Sequence, residues 1–531
     1  MSRMEDSLLV ERLGMMPKGQ FLGLTLLILV ATRFPSMLAP LMDSDEAVRA
    51  VGARILLAGG VPYLDFIDNK PPLTWFLFAL VGGSVTGGRI LAGLFSWLTA
   101  LLVGEMLAGA AAGLKRLATV FYLLFSAAWL DRHFLTANTE VFMNLPLAAA
   151  LVLAVRERNG LKDAAANGLA VGALFALAVL ARPTALFAAL AVAGVWLVAA
   201  GLAGEGRLRI VIVRSAGAAA GGIGVLGLGY AGFHLAGAGH EFLYWSFLSG
   251  GDIGATSNRG LDGFRRMATS LLPWVASAAL LWAALVVSTA EILRRWHDSV
   301  RQPDRLLLAA VSWITIVPCA FGGRWRGHYF LQFLPSLVPL AAVFANTILN
   351  RDSFTPPRSS GRRPALVMAG ALVPALAALV VNSSNLATGS IDRRIGEDVL
   401  GLSEHWKRDI PRQGTVFVWG YATGAYYLSG RMPASRYIVP VTKVSGYAFG
   451  SDAQRRGELD GSQFIDPDEL GKLVSDLERS RPLEIADLSP GGLHGWGCCP
   501  MPPALASWVE SRYTQADPVG RIVIWRRRDS P

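Results

Sequence analysis

Met42-Asp43-Ser44-Asp45-Glu46 sets three carboxylates within four residues, and 25 residues after Asp45 a lone cation fronts a double proline in Asp68-Asn69-Lys70-Pro71-Pro72-Leu73. A carboxylate able to take a proton, near an ammonium able to hold an anion, suits attack on a phosphate-bearing lipid. Asp43 and Glu46 have capping-box spacing, with Asp43 as N-cap and Glu46 reaching back to it. Capping accounts for these two as well as chemistry does. Asp45 is not needed for the cap, so its carboxylate is free to serve as a base. The following stretch, Glu46 to Leu57, puts Val48, Val51 and Ile55 on one face and reads as a short helix lying along the membrane surface. Gly59-Gly60-Val61-Pro62 ends it. Pro71-Pro72 starts another helix well, which places Lys70 beside the positive end of a helix dipole, a setting suited to phosphate. Interfacial snorkelling is the competing role for Lys70.

Further polar groups fall in other outer loops: Asp131-Arg132-His133 with Thr139-Glu140, then Arg182-Pro183, then Gly323-Arg324-Trp325-Arg326-Gly327-His328-Tyr329. Arg324, Arg326, His328 and Tyr329 pack two cations, an imidazole and a phenol into six residues. The guanidinium fork matches phosphate oxygens, while contact with lipid headgroups is the plainer alternative. The stretch from Gly239 to Arg266, with Tyr244 and Trp245, reads as a mobile surface segment.

The elements that must position these groups are membrane helices. Hydrophobic residues make up 53% of 531 positions and charged residues 17%, too few for a soluble domain. Apolar stretches long enough to cross the hydrocarbon layer recur, at about 19–41, 88–112, 116–131, 140–155, 165–181, 184–201, 211–236, 268–291, 305–321, 329–349 and 364–386. The first has no small-residue cleavage pattern and reads as a span rather than a signal peptide. With the N-terminus cytoplasmic, inner loops carry Lys115 and Arg116; Arg156, Arg158 and Lys162; Arg207, Arg209 and Arg214; Arg294, Arg295, Arg301 and Arg305; and Arg351, Arg358, Arg362 and Arg363. These outnumber the basic residues outside, as the positive-inside rule requires, and account for the net charge of +10 without nucleic acid. Eleven spans put the acidic loop and the C-terminal tail outside. Cys319, Cys498 and Cys499 make neither a disulfide framework nor a zinc cluster. After about Ser390 the patterns shorten. Thr415–Trp419 reads as a buried strand, Asp466 as the N-cap of a helix to Arg479, and the stretches around Leu483–Ala486 and Arg521–Trp525 as strands, so the tail is a small α/β domain without a phosphate loop or catalytic triad.

Asp45-Glu46 after the first span, with Asp68-Asn69-Lys70-Pro71-Pro72-Leu73, resembles the GT-C superfamily of membrane glycosyltransferases. The resemblance is strongest to bacterial relatives of the dolichyl-phosphate-mannose–protein mannosyltransferases, including the lipid A aminoarabinose and galacturonic acid transferases. Gly323 to Tyr329 with Leu334-Pro335, and Val418-Trp419-Gly420 with Tyr427-Leu428-Ser429-Gly430-Arg431, are similar to its late segments. The resemblance implies an all-α polytopic GT-C fold of about eleven transmembrane helices over 1–388, with juxtamembrane helices in the first outer loop, and an extracytoplasmic α/β domain over 389–531. It implies transfer of one sugar, a hexose or pentose, from a polyprenyl-phosphate carrier to a lipid, glycan or protein acceptor outside a bacterial cytoplasmic membrane. Asp45 would be the general base and Glu46 its support. Lys70 would hold the donor phosphate, while Arg324, Arg326, His328 and Tyr329 steady phosphate or sugar, and Asp43, Asp68 and Glu140 assist. The aminoarabinose branch has a metal-binding glutamate before Lys-Pro-Pro where this chain has Asn69, which weakens the case for a divalent metal without closing it: the sequence does not require one, and His133, His240 and His328 are scattered outer donors that could serve. The rival reading is a transporter or flippase of a lipid-linked anion. Its inverted repeat is not evident, and the polar groups gather at one surface.

Overall fold

The computed structural model describes residues 8–127, 134–156, 160–250, 260–320, 323, 325–350, separate helical residues between 369 and 385, 396–447, 451–491 and 499–529. Among them six helices are long and apolar enough to cross a membrane: Lys18–Met37, Val85–Glu105, Leu161–Ala181, Ala185–Leu202, Glu205–Leu235 and Gly327–Leu349. The pair Gly260–Ser277 and Ala279–Arg294, bent by 90° at Ala278, makes a seventh if it is one span. These helices make the chain a multi-pass membrane protein.

The expected count of eleven meets shorter helices. Ala112–Phe125, Thr139–Ala154 and Asp304–Ile314 have 14, 16 and 11 residues, below the roughly 20 a full span needs. Thr139–Ala154 is nonetheless buried along nearly its whole length, an inner helix of the bundle. The expected span 364–386 lies largely outside the described residues. Leu161–Ala181 and Glu205–Leu235 approach closely through glycines. A Cβ at Gly168 or Gly172 would run into the backbone of Arg214 or Ala218, and one at Gly221 into the carbonyl of Leu169. Small residues at one repeat on both helices let the backbones touch, which is how membrane helices gain packing without a hydrophobic driving force.

The segment between the first two apolar helices is not a surface strap. Its helix, Ser44–Leu57, starts where Asp43, extended at φ −148° and ψ 145°, accepts from the Asp45 N–H at 3.3 Å. Glu46 does reach back, but to the N–H of Met42, at 3.3 Å. Residues 46–53 are all buried, so the helix lies inside the protein. Its roof is the C-terminal region. Arg54 donates to the Tyr427 carbonyl at 3.1 Å and stacks on that ring at 4.4 Å, while Tyr427 Oη accepts from the Val85 N–H.

That C-terminal region contains a five-stranded sheet among the described residues: β1 (Thr415–Trp419), β2 (Met432–Pro433), β3 (Glu484–Asp487), β4 (Tyr513–Val519) and β5 (Ile522–Arg527), in the order β2-β1-β3-β5-β4. β1 runs parallel to β2 and β3, and the β3–β5 and β5–β4 pairs are antiparallel. The helix Pro467–Ser480 lies on the connection from β2 to β3, with Asp466 capping it by accepting from Asp468 N–H at 3.0 Å. Two bidentate pairs tie this region to the membrane part: Arg266 with Asp452 (2.5 and 2.7 Å) and Arg456 with Asp262 (3.2 and 2.5 Å).

Candidate active site

Asp45 and Lys70, 25 residues apart in sequence, meet. Lys70 Nζ donates to Asp45 Oδ2 at 2.8 Å, and Arg49, one helical turn beyond Asp45, approaches the same oxygen at 3.4 Å. The Asp45 and Lys70 side chains keep 32% and 24% of their surface exposed, so a ligand can reach both. Burial pushes the Asp45 carboxyl up, but the charges of Lys70 and Arg49 outweigh it and hold the carboxyl down at about 2. Burial also opposes the Lys70 charge, yet Asp45 and Asp68 raise its affinity for its proton. Asp68 is 4% exposed, and its Oδ2 is buried with no hydrogen-bond partner among the described residues. Burial raises the Asp68 carboxyl against the pull of Lys70.

The backbone of Lys70 is held by Tyr63. This residue has φ 70°, a left-handed conformation costing roughly 1–2 kcal/mol for a side chain with a Cβ. Packing overrides that cost. The Tyr63 ring is fully buried against Trp75, Phe233 and Phe242. Its Oη donates to the Lys70 carbonyl at 2.9 Å and bonds Ser246 Oγ at 2.8 Å. The segment around Tyr244 and Trp245 is therefore not a mobile surface stretch. Trp245 and Ser246 are buried on the helical turns Gly239–Leu243 and Tyr244–Leu248, and residues 251–259 lie outside the described residues. Tyr63→Phe removes both Oη bonds and costs about 1 kcal/mol. Thermal unfolding should show that loss together with a higher KM for the donor; if both stay at wild-type values, Lys70 is held by other means.

Glu46 stands apart from Asp45. It is fully buried, with Arg89 Nε on Oε1 at 2.9 Å and Arg89 Nη2 on Oε2 at 2.6 Å, while Ala137 N–H donates to Oε1 at 3.0 Å. The same arginine donates to the carbonyls of Ser36 and Ala39 at 2.5 and 2.6 Å. Glu46 thus ties the loop to Arg89 on the Val85–Glu105 helix and, through that arginine, to the end of the Lys18–Met37 helix. Asp43, 6% exposed, serves as the cap.

A second cluster forms where the Thr139–Ala154 helix begins. Glu140 Oε1 lies 2.5 Å from Arg182 Nη1 and 3.7 Å from His328 Nε2, as charge contacts rather than aligned hydrogen bonds. Oε2 accepts from the Thr139 hydroxyl at 3.1 Å. Arg182 also stacks on Tyr329 at 4.5 Å. Arg326 is half-buried at the head of the Gly327–Phe333 turn that carries His328 and Tyr329. Arg324, with Asp131, Arg132 and His133, lies outside the described residues. Arg49 bridges the two clusters, donating to the Ala137 carbonyl at 3.3 Å and to Asn138 Oδ1 at 3.1 Å.

Arg49, Tyr63 and Arg89 complete the site beyond the residues singled out from sequence, and Arg182, noted there as a loop arginine, joins it through Glu140. Arg49 follows Asp45 at i+4, a helical-neighbour signal. Arg89, inside an apolar span, had to have a partner. Tyr63 carried no signal. Among the described residues no three His, Cys, Asp or Glu side chains come together, and the Lys70 ammonium sits on the Asp45 carboxylate.

The fold, a helical bundle under an α/β roof, is similar to that of solved structures of a membrane protein. Similar in fold is ArnT from Cupriavidus metallidurans bound to undecaprenyl phosphate, with a TM-score of 0.56 at 13% identity over 96% of this chain and 98% of that one. ArnT in the apo state gives 0.51 at 14% identity over 96% and 97%. The Archaeoglobus fulgidus oligosaccharyltransferase gives 0.49 at 12% identity over 96% and 73%. No family profile matches the chain, and no curated relative matches it.

Proposed function

We propose that the protein is a glycosyltransferase that moves one sugar from a polyprenyl-phosphate carrier to a hydroxyl acceptor at the outer face of a bacterial cytoplasmic membrane, with Asp45 as general base. The single observation that carries this is the 2.8 Å contact between an accessible carboxylate and an accessible ammonium. The acceptor hydroxyl gives its proton to Asp45 as its oxygen attacks the anomeric carbon. The carbon–oxygen bond to phosphate breaks on the opposite face, which inverts the centre. The electron pair leaves on the polyprenyl phosphate, where Lys70 meets the developing charge. With Lys70 on its carboxylate, Asp45 is a weak base. A donor phosphate competes for that ammonium, so donor binding itself raises the basicity of Asp45. Arg182 and His328, held by Glu140, and Tyr329 and Arg326 beside them supply further contacts for phosphate or sugar; Arg324 belongs to the same loop. Asp68 supports Lys70. The span 389–531 acts as an outer domain that covers the site and shapes the choice of acceptor, which is a lipid, a glycan or a protein.

Binding of undecaprenyl phosphate to the purified protein tests the phosphate role. Lys70→Gln removes one charge-assisted bond of about 1.5–3 kcal/mol, so Kd rises roughly 10- to 100-fold. Equal binding by wild type and variant overturns the assignment. The pH profile gives a second check. A carboxyl held at about 2 stays ionised as pH falls to that range, so the wild-type acid limb does not come from Asp45 in the free enzyme. Lys70→Gln leaves burial less opposed and moves the carboxyl up, so an acid limb of kcat/KM emerges at higher pH than in wild type. An acid limb that does not move separates the two residues.

A further inference from the structure

The C-terminal region does more than cover the site. Its helix Pro467–Ser480 carries Glu469 and Asp476 seven residues apart, two turns along one face. Asp476 is 2% exposed, and a buried carboxylate must be paired. Arg436 pairs with it: Nε donates to Oδ2 at 2.8 Å and Nη2 to Oδ1 at 3.0 Å, and the Arg436 N–H adds a bond to Oδ2 at 3.1 Å. Ser435 Oγ donates to the same oxygen at 3.2 Å, and Tyr437 Oη donates to Glu469 Oε2 at 2.6 Å. One helix face thus grips three consecutive residues, by side chain and main chain together, and leaves the Arg436 peptide little freedom.

That peptide meets the membrane part. The Arg436 carbonyl accepts from the Ile67 N–H at 2.8 Å. Ile67 is buried and stands three residues before Lys70. At the other end of this short segment the Lys70 carbonyl accepts from Tyr63 Oη at 2.9 Å. Residues 67–70 are therefore pinned twice, once by the C-terminal region and once from within the bundle. The C-terminal region bears on the Asp45 arm as well. Gly424 lies so close to Leu41 that a Cβ there would come within 2.8 Å of Leu41 Cδ2, and Arg54, on the Asp45 helix, bonds the Tyr427 carbonyl. Both arms of the site are thus set against one region, and the 2.8 Å reach from Lys70 to Asp45 spans the gap between them.

We infer that Arg436, clamped by Asp476, is a positioning residue for Lys70: through the Ile67 N–H it fixes the segment that carries the ammonium. The inference rests on the proposed role of Lys70 toward a donor phosphate and gives the C-terminal region a part in donor binding. Arg436 acts through the segment and does not itself meet the donor. A charge-assisted bond depends on close, aligned approach, so a loosened segment weakens the hold of Lys70 on phosphate without removing its charge.

The test uses two readouts on the purified full-length protein: hydrogen–deuterium exchange of a peptide spanning Ile67, and the Kd for undecaprenyl phosphate. Arg436→Gln breaks the fork at a side chain that is 22% exposed, so the variant should fold. Its Ile67 amide should exchange about tenfold faster, and Kd should rise about three- to tenfold. Arg479→Gln is the control. It removes a 2.7 Å bond to the same Asp476 carboxylate from a side chain that is 74% exposed, and both readouts should stay at wild-type values. In a Lys70→Gln background Arg436→Gln should add nothing further to Kd, because the two act through one contact; a general loss of stability would add in full. Unchanged Ile67 exchange in Arg436→Gln, an additive effect on Kd, or an equal effect from Arg479→Gln overturns the inference. Wild-type binding by Lys70→Gln overturns the donor-phosphate reading instead, and faster Ile67 exchange in Arg436→Gln then still supports the hold of Arg436 on the segment.

Discussion

Asp45→Asn should abolish measurable sugar transfer while the protein still folds and inserts. A positioned general base contributes about 10²- to 10⁴-fold, and asparagine cannot accept the acceptor's proton. The carboxylate is one-third exposed and makes its two ionic contacts at the rim of the site, with Lys70 and Arg49. Asparagine keeps an acceptor oxygen for Lys70, so the loss falls on turnover rather than stability. Donor binding should tighten slightly, since Lys70 loses the anion that competes with phosphate. The comparison to make is turnover per folded molecule, with unfolding temperature and expression measured on the same preparations. Turnover within a fewfold of wild type would remove Asp45 from the chemistry.

Glu46→Ala should do the reverse. The Glu46–Arg89 pair is wholly buried and bidentate, and Arg89 also holds the carbonyls of Ser36 and Ala39. Removing one partner strands a guanidinium in the interior, which costs roughly 3–5 kcal/mol. That is a large share of a native stability of about 5–15 kcal/mol. Little folded protein should accumulate. Glu46→Gln keeps two of the acceptor contacts and should be milder, and Glu46→Gln/Arg89→Met should recover part of the loss by removing the stranded charge. The measurement is the fraction surviving detergent extraction and a thermal ramp. If Glu46→Ala is as stable as wild type but inactive, Glu46 belongs with Asp45 in the reaction.

The residues that meet at the site were legible in part because their signals are local. Asp43 and Asp466 each cap a helix, Pro71-Pro72 leads into the Leu73–Leu80 helix, and the apolar run Thr415–Trp419 forms β1. The Glu46–Arg89 pair was not legible because its partners are 43 residues apart; at short range Glu46 looks like its neighbour Asp45. β4 was invisible because it is an edge strand with four exposed residues and Pro518 within it, lacking the alternation of a half-buried strand. Hydropathy alone does not tell a short inner helix, such as Thr139–Ala154, from a crossing one. The turn at Tyr63 and the burial of Ser246 depend on each other's tertiary contacts, and neither leaves a pattern in the chain.

The measurement closest to the central claim is mass spectrometry of polyprenyl-phosphate lipids from cells carrying wild-type protein, a deletion, or Asp45→Asn. One polyprenyl-monophosphate sugar should accumulate in the deletion and to the same level in Asp45→Asn, and its mass gives the sugar class. An unchanged lipid pool, with Asp45→Asn still complementing the deletion, contradicts the transferase and returns the protein to the transport of a lipid-linked anion.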